Sequence, residues 1–325
     1  MMTMSFRAAR PATAAWLLAR VAAGALALSF AAPSLAKDCD RACLVSVTDA
    51  YLAGLAAHDP ARAPLAETPL FIENSKRLRV GEGLWAAATG RADAMGLYVP
   101  DPAAQTAGWI GVMEQSGKPS LVAIRLQLED GRIVEAEHVV GTTLTPAQLA
   151  NLQTPRAGYF REIPKASRLP RGKLLTIGAS YYDALDDNDG SLAPFARDCE
   201  RMDNGDVAVG PNVHIYPEPD YPHIDMTCGG QFDSQVMSYI TTIDGRRVFA
   251  ADPVYGLVMG FSHFHHKMDV KDIRVILPDG SEGVRHLPNG PFDMVAAHIF
   301  KVGPEGQIHE IQAMGFVAPY TEPKG

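Results

Sequence analysis

The sequence lacks the short motifs that define several large enzyme classes. It contains no glycine-rich phosphate loop, no dinucleotide-binding fingerprint, no Gly-x-Ser-x-Gly nucleophile elbow and no His-Glu-x-x-His metal motif. These absences argue against nucleotide-dependent enzymes, α/β-hydrolases and the common zinc proteases. We therefore expect no cofactor, and any catalysis must come from ordinary titratable side chains.

Positive charge is scarce as well. The chain has 29 lysines and arginines against 37 acidic residues, for a net charge of −8. Such a chain is a poor partner for nucleic acid or an anionic membrane. The one basic stretch, residues 156–173, is interrupted by prolines and is interpreted as a stiff, solvated linker.

Long apolar runs are absent after the first 36 residues. Arg7, Arg10 and Arg20 accompany a short apolar run at 21–32, and small residues follow it, which is typical of a secretory signal peptide. The run is shorter than the roughly 20 residues that span a bilayer, although an uncleaved anchor remains the alternative. We predict cleavage after 1–36, a periplasmic or secreted protein of net charge −11, and no stable membrane anchor.

Only four cysteines are present, and an exported chain is expected to pair them. Cys39 and Cys43 are four residues apart at the start of the first predicted helix, so their side chains share a face. Cys199 is placed at the end of a second helix, and Cys228 lies in an extra segment that this bond would pin. Of the three possible pairings we prefer Cys39–Cys43 with Cys199–Cys228; zinc binding is the weaker alternative.

The chain contains two similar stretches. Residues 58–75 and 188–205 match without gaps at an offset of 130, so that Asp59 corresponds to Asp189 and Asn74 to Asn204. A second match, 121–135 with 295–310, has an offset of 175, so the second copy carries about 45 extra residues. A constant offset of this length predicts two copies of one domain.

The predicted organisation has four parts. They are a signal peptide at 1–36, a first domain at 37–150, a linker at 151–172, and a second domain at 173–325 with an inserted loop at 206–235. In each copy we expect a long helix, a second helix (from Pro64, and over 192–202), and then a run of strands that includes 238–243 in the second copy. That order predicts an α+β fold with a curved antiparallel sheet.

The order of elements resembles the nuclear transport factor 2-like (SnoaL-like) fold, in which helices close one side of a bent sheet to form a cone with a pocket. More specifically, the chain resembles a poorly characterised family of exported bacterial and fungal proteins with two such halves. The resembling segments are 39–44, Glu73-Asn74, 81–85, 160–164 with Ser167-Arg168, and 199–201. The resemblance implies two tandem cone-shaped domains with small-molecule pockets, and this fold hosts isomerases, lyases, hydratases, cyclases and binding modules.

In the first copy the candidate ligand-binding residues are polar or aromatic groups near the expected cone. They are Glu73, Asn74, Trp85 and Arg125, with His138 as a further candidate. A structural role is the alternative for Glu73 and Asn74, because an asparagine after a predicted helix also suits a turn. Arg125 and His138 could equally face solvent.

The second copy has the denser signal. His263 and His265 share one strand face, and His298 lies in an apolar strand that could bring it beside them, with Asp203 orienting one imidazole. We predict His298, His263 and Asp203 as catalytic, because a histidine–carboxylate pair transfers protons near neutral pH. Substrate-binding residues are predicted at His265, Tyr182 and Asn204. Solvent-exposed or purely structural histidines, and a metal site, are the alternatives, and no metal is assigned.

The function predicted from these residues is cofactor-independent acid–base catalysis by a lyase or isomerase on an apolar or aromatic compound. The alternative is a non-catalytic periplasmic ligand-binding or accessory protein. The second copy is predicted to hold any catalysis, with the loop that contains His214, His223 and Asp225 as its lid. The partner is a small molecule, and the sequence leaves the oligomeric state open.

Overall fold

The computed structural model describes residues 38–210, 226–277 and 279–323. The predicted signal peptide and the lid residues His214, His223 and Asp225 lie outside these ranges. The helices are α1 (Arg41–Ala57), α2 (Leu84–Ala87), α3 (Pro146–Gln153), α4 (Arg171–Asp187) and α5 (Cys228–Asp233). None of the helices in the described ranges combines the length and apolarity needed to cross a bilayer.

Fourteen strands are described, in three sheets. The strands of the first half are β1 (Leu65–Glu73), β2 (Lys76–Leu78), β3 (Ala88–Asp101), β4 (Thr106–Gln115), β5 (Lys118–Glu129) and β6 (Arg132–Thr143). Those of the second half are β7 (Phe195–Asp203), β8 (Asp206–Val209), β9 (Thr242–Asp252), β10 (Leu257–His266), β11 (Asp272–Ile276), β12 (Glu282–His286), β13 (Phe292–Val302) and β14 (Ile308–Pro319).

The two large sheets have equivalent strand orders. The first is β2-β1-β6-β5-β4-β3 and the second is β8-β7-β14-β13-β10-β9, while β11 and β12 form a separate hairpin. In each large sheet the other neighbours are antiparallel, but the first long strand pairs in parallel with the last. The predicted α+β fold class, with helices packed on two curved sheets, is confirmed.

The second helix predicted in each copy is wrong, because β1 and β7 occupy those positions. The turn before each strand is a short 3₁₀ helix, in which Asp59 and Asp189 each accept a hydrogen bond from a backbone N–H two residues on. Both predicted turns are therefore present, but each is followed by a strand instead of a helix. Similarly, the strand predicted over 238–243 is wrong at its start: 238–239 is turn, 240–241 is irregular, and β9 begins only at Thr242.

The extra residues of the second half occupy two places rather than one. Leu65 of β1 pairs with Ile133 of β6, and Phe195 of β7 pairs with Ile308 of β14. The residue numbers of the two halves therefore differ by 130 at β1 and β7 and by 175 at β6 and β14. At the ends of β3 and β9 they differ by 151. One extra segment therefore lies between β8 and β9, and the other contains the β11–β12 hairpin.

One long helix covers each sheet. Asp40 caps α1 by accepting a hydrogen bond from the Cys43 N–H, and His58 ends it in the left-handed conformation. The buried side of α1 includes Leu44 and Tyr51, and that of α4 includes Leu174, Ile177, Tyr181, Tyr182 and Leu185. Each half thereby has its own core between helix and sheet.

A third core lies between the two sheets. It joins residues such as Ile110 and Val139 of the first sheet to Met259 and Ile299 of the second. Two reciprocal ion pairs also join the halves. Arg41 of α1 lies 2.8 Å from buried Asp252, and Arg171 of α4 lies 2.7 Å from buried Asp101.

Both preferred disulfides are present. Cys39 bonds to Cys43 at the start of α1, and Cys199 bonds to Cys228 across a sequence separation of 29 residues. Cys199 lies in β7 rather than at a helix end, so the second bond fastens α5 to the sheet. No free cysteine remains.

Candidate functional site

A cavity of about 130 Å³ lies between helix α4 and the inner face of the second sheet. Apolar residues form much of its wall, with a few polar groups among them, as is usual for small-molecule sites. Its lining consists of Tyr181, Leu185, Arg201, Asp203, Asn204, Met237, Tyr239, Ile240, Phe264, His266, Met294, Ala296, His298, Ala313, Met314 and Gly315.

An arginine–aspartate pair forms the charged side of this cavity. Arg201 is 3 % exposed, and its Nε donates to Asp203, whose carboxylate oxygens lie 3.0 and 3.2 Å away. Burial opposes the charge of Arg201, but Asp203 and the Tyr181 phenol outweigh it and raise the pKa of the guanidinium. Arg201 therefore stays positively charged under ordinary conditions.

His298 faces the same cavity. Its Nδ1 lies 3.1 Å from the Tyr182 hydroxyl, which is its single side-chain hydrogen bond among the described residues. Burial and the nearby charge of Arg201 lower the pKa of His298 to about 3, so its ring is neutral at physiological pH. Burial also raises the pKa of Tyr182, so its hydroxyl keeps a proton to donate. Donation to Nδ1 places the ring proton of His298 on Nε2.

A second buried histidine completes the polar lining. His266 stacks on Phe292 with 4.0 Å between ring centroids, and on Tyr239 at 5.6 Å. Burial lowers its pKa to about 4. It is therefore also neutral near pH 7, which leaves Arg201 and Asp203 as the charged residues in the lining of this cavity.

The first half places a row of contacting polar side chains at the equivalent position, with one hydrogen bond between Tyr51 and His138. The Tyr51 hydroxyl lies 2.9 Å from His138 Nε2, and His138 Nδ1 lies 3.5 Å from Glu73 Oε2. Glu73 also accepts the backbone N–H of Leu84 at 2.8 Å. The Trp85 ring packs edge-on against Tyr51 at 5.2 Å, with 1 % of the residue exposed.

The two asparagines tie neighbouring strands together. Asn74 has a φ of 48° and exchanges two hydrogen bonds with the Val140 backbone. Asn204 has a φ of 49° and accepts the Gly315 N–H at 3.0 Å. Each asparagine occupies the left-handed position of a tight turn, as the structural alternative supposed. Asn204 also lines the cavity.

Some of the predicted site residues come together in the second half. His298, Asp203 and Asn204 line one cavity. Tyr182 is hydrogen-bonded to His298 but does not line the cavity. The predicted approach of His298 to His263 or His265 is wrong. In β10 the even-numbered residues face α4 together with His298, whereas the odd-numbered ones face the other sheet.

Arg125 is another predicted site residue that does not line this cavity. It lies on the face of β5 that is turned toward the second sheet, with its guanidinium 5.4 Å from the Phe249 ring and 2.5 Å from Glu135. The sequence analysis also missed Arg201, Tyr181 and His266 as cavity residues. The alternation of 201 and 203 on one strand was the available signal, but it required β7 to be recognised as a strand.

The family model that matches this chain has no described function. A family model described as "Domain of unknown function (DUF8021)" matches residues 167–315, which is less than half of the chain. No curated protein matches this chain.

Among solved structures, the chain is similar to the epoxide hydrolase/cyclase-like enzyme SalBIII of salinomycin pyran ring formation. The identity is 13 %, the match covers 46 % of this chain and 97 % of that one, and the TM-score is 0.29. It is also similar to an NTF-2 like protein of unknown function from Burkholderia xenovorans LB400, with 10 % identity, coverage of 35 % and 96 %, and a TM-score of 0.27.

Proposed function

We propose that the second half binds a small, largely apolar molecule through an oxygen that carries or develops negative charge, and that it catalyses proton transfer on this molecule. The observation that carries the proposal is the cavity itself. A charged Arg201–Asp203 pair and the neutral imidazole of His298 line the same apolar space. A cavity of about 130 Å³ suits a compound the size of one aromatic ring.

The proposed roles follow from the charge of each group. Arg201 holds the negative oxygen, and the Nε2–H of His298 donates a second hydrogen bond to it. Donors fixed in a site of low dielectric stabilise such a charge more strongly than water does. Asp203 is the carboxylate that accepts the proton, and 40 % of its side chain is exposed, so the proton can exchange with solvent. His298 is thus proposed as a donor, because a ring with a pKa near 3 is a weak base.

Binding is tested with 4-nitrophenol, whose visible spectrum reports its ionisation. We expect a bound phenolate, and at least about a tenfold loss of affinity in Arg201→Met, because the charged hydrogen bond is lost. His286→Ala is the matched control, since that histidine is exposed and pairs with Asp272 at the surface. An unchanged affinity in Arg201→Met would contradict the proposed binding mode.

Catalysis is tested by following, by NMR in D2O, deuterium exchange at C6 of cyclohex-2-enone, its saturated α-carbon. Asp203→Asn should slow the catalysed exchange by about 100-fold or more, as for loss of a general base. His298→Ala should slow it by about 100-fold, as for loss of an oxyanion donor. Exchange that persists in both variants at the wild-type rate would place the chemistry elsewhere.

A non-catalytic binding protein is the second candidate. The observation that favours it is the close pairing of both Asp203 oxygens with Arg201 Nε, which limits the availability of the carboxylate as a base. This candidate predicts 4-nitrophenol binding that depends on Arg201, together with exchange no faster than in buffer.

Export is also part of the proposal. Two disulfides are compatible with a periplasmic or extracellular location, where such bonds persist. Expression with a periplasmic fractionation, followed by N-terminal sequencing, tests whether the chain is cleaved after Ala36. A cytoplasmic, uncleaved product would contradict this part.

A further inference from the structure

A second polar cluster lies on the opposite face of the second sheet from the cavity. His263 and His265 are two residues apart on β10, and their rings stack with centroids 4.5 Å apart and planes inclined by 13°. Asp244 is the cross-strand partner of His263 on β9, and Asp293 is the cross-strand partner of His265 on β13. Three adjacent strands therefore bring two imidazoles and two carboxylates together.

Local backbone geometry aims Asp244 at the histidines. The pairing of β9 with β10 shifts register between Phe261 and His263, and Gly245 follows Asp244 with a φ of 58°. Such a bulge bends a strand and redirects the adjacent side chain, and it requires a residue that tolerates positive φ. The donor atoms of Asp244, His263 and His265 consequently lie within 4.8 Å of one another.

The hydrogen bonds of this cluster leave two ring nitrogens unused. The residue His265 is 2 % exposed, and its Nδ1 lies 3.0 Å from Asp293 Oδ1. The Nε2 of His265 lies 3.1 Å from Asp244 Oδ2, and the Nε2 of His263 lies 3.1 Å from Asp293 Oδ2. Neither contact has the geometry of a hydrogen bond. A buried nitrogen without a hydrogen bond is unfavourable unless another group binds it.

Asp293 has the features of a supporting residue. It is fully buried, and its Oδ2 accepts hydrogen bonds from the N–H and the hydroxyl of Thr321 at 2.9 and 2.6 Å. Its Oδ1 faces the Nδ1 of His265. A carboxylate in this position fixes a histidine so that Nε2 is free to bind a metal ion.

We propose that Asp244, His263 and His265 bind a divalent transition-metal ion, with zinc as the probe. Two imidazoles and one carboxylate are a donor set that Zn²⁺ accepts, at about 2.0–2.2 Å from each atom. In a tetrahedral site two ligand atoms lie about 3.3–3.6 Å apart, so the most distant pair of the cluster, at up to 4.8 Å, needs to approach by up to about 1.4 Å. A dication also balances the two carboxylates.

The proposed ion has a position open to solvent. The side chains of His263 and Asp244 are 25 % and 37 % exposed, whereas His265 and Asp293 are enclosed. Three protein ligands with an accessible fourth position characterise ions that exchange or bind a further ligand, rather than purely structural ions. The site is absent from the first half, where β4 has Val112 and Glu114 at the positions of His263 and His265.

Zinc binding to the purified, chelator-treated protein tests the proposal. Isothermal titration should give one Zn²⁺ per chain, and Co²⁺ should give a visible absorption band of a nitrogen- and oxygen-ligated ion. His263→Ala, His265→Ala and Asp244→Asn should each weaken zinc binding by at least about 100-fold. Asp293→Asn should weaken it by about 10- to 100-fold, as expected for a residue that orients a ligand.

His286→Ala is the matched control, because His286 and Asp272 form another histidine–aspartate pair, 2.8 Å apart and exposed on the β11–β12 hairpin. It should bind zinc as the wild type does. If His265→Ala fails to fold, His263→Ala and Asp244→Asn still decide the matter, since both side chains are partly exposed. The proposal is overturned if the wild type binds no zinc at 100 µM, if Asp244→Asn and His263→Ala bind as tightly as wild type, or if His286→Ala alone abolishes binding.

Discussion

The interiors of the two halves differ although their strand orders are equivalent. In the first half the side chains of Tyr51, His138 and Glu73 form a continuous chain beside buried Trp85. In the second half the corresponding region holds a cavity. Two sheets with equivalent strand orders therefore differ in whether the interior is filled by packed side chains or contains a cavity.

The substitutions can be read from the pairing of the strands. Phe71 of β1 corresponds at an offset of 130 to Arg201 of β7, and His138 of β6 corresponds at an offset of 175 to Ala313 of β14. A large apolar residue is thus replaced by a cation, and a hydrogen-bonded histidine by a methyl group. The second half also has no tryptophan. Each change removes packing or adds charge on the side of the sheet that faces α4.

The largest expected effect is on the packing of the first half. Trp85→Ala should lower the free energy of unfolding by about 3–5 kcal/mol, because it leaves a cavity in a filled interior. Phe264→Ala in the second half should cost less, since Phe264 already borders a cavity. Chemical denaturation measures both. Equal losses would mean that the two interiors are packed alike.

The next largest effect is expected for the two disulfides, which should differ in how much they add to the free energy of unfolding. A loop-entropy estimate gives about 3–4 kcal/mol for Cys199–Cys228, whose partners are 29 residues apart, and about 2 kcal/mol for Cys39–Cys43, which are four apart. Replacing each pair by serine and measuring urea denaturation tests the order. A larger loss for the N-terminal pair would contradict it.

The pH dependence of stability should come from the second half. The pKa of His298 is about 3 in the folded protein and about 6.5 when unfolded, so the unfolded state binds more protons between these values. Stability therefore falls as the pH drops below about 6.5, by about 2 kcal/mol between pH 7 and pH 5 for this group. His298→Gln should flatten the profile; an unchanged profile would show that His298 titrates normally.

The smallest expected effects are at the contact between the halves. Arg171→Ala leaves Asp101 without its cation, and Arg41→Ala does the same to Asp252. Each arginine is more than one-third exposed, so each loss should be only about 1–2 kcal/mol after discounting for solvent. Thermal denaturation of both variants should give similar shifts. A loss confined to one variant would show that the reciprocal contacts are unequal.

Much of the fold could be predicted from residues alone, because local signals and burial agreed there. The helices from Arg41 and Arg171 have apolar residues at helical spacing, and β4 to β6 are mostly apolar runs between turns, as expected for strands that are buried on both faces. The predictions for β1 and β7 were wrong, because the proline-containing turn before each strand obscured the alternation of its residues. A half-buried strand that pairs in parallel with a strand some 65 to 110 residues away carries little local signal.

The site was harder to predict than the fold. The sequence predicts His298 and Asp203 in one pocket, but whether two such residues meet depends on which face of each strand lines the pocket. His263 and His298 lie on neighbouring strands, yet they lie on opposite faces because β10 and β13 pair Gly260 with His298. One residue of register decides that outcome, and sequence alone does not determine it.

The most direct test of the central claim, that the second half holds the ligand site and the first half does not, is a calorimetric titration of 4-nitrophenol into two matched variants. Arg201→Phe gives the second half the residue that the first half has, and Phe71→Leu is a conservative change at the equivalent position of the first half. We predict one bound molecule per wild-type chain, no detectable binding in Arg201→Phe and unchanged binding in Phe71→Leu. Retained binding in Arg201→Phe, with loss in Phe71→Leu, would contradict the account.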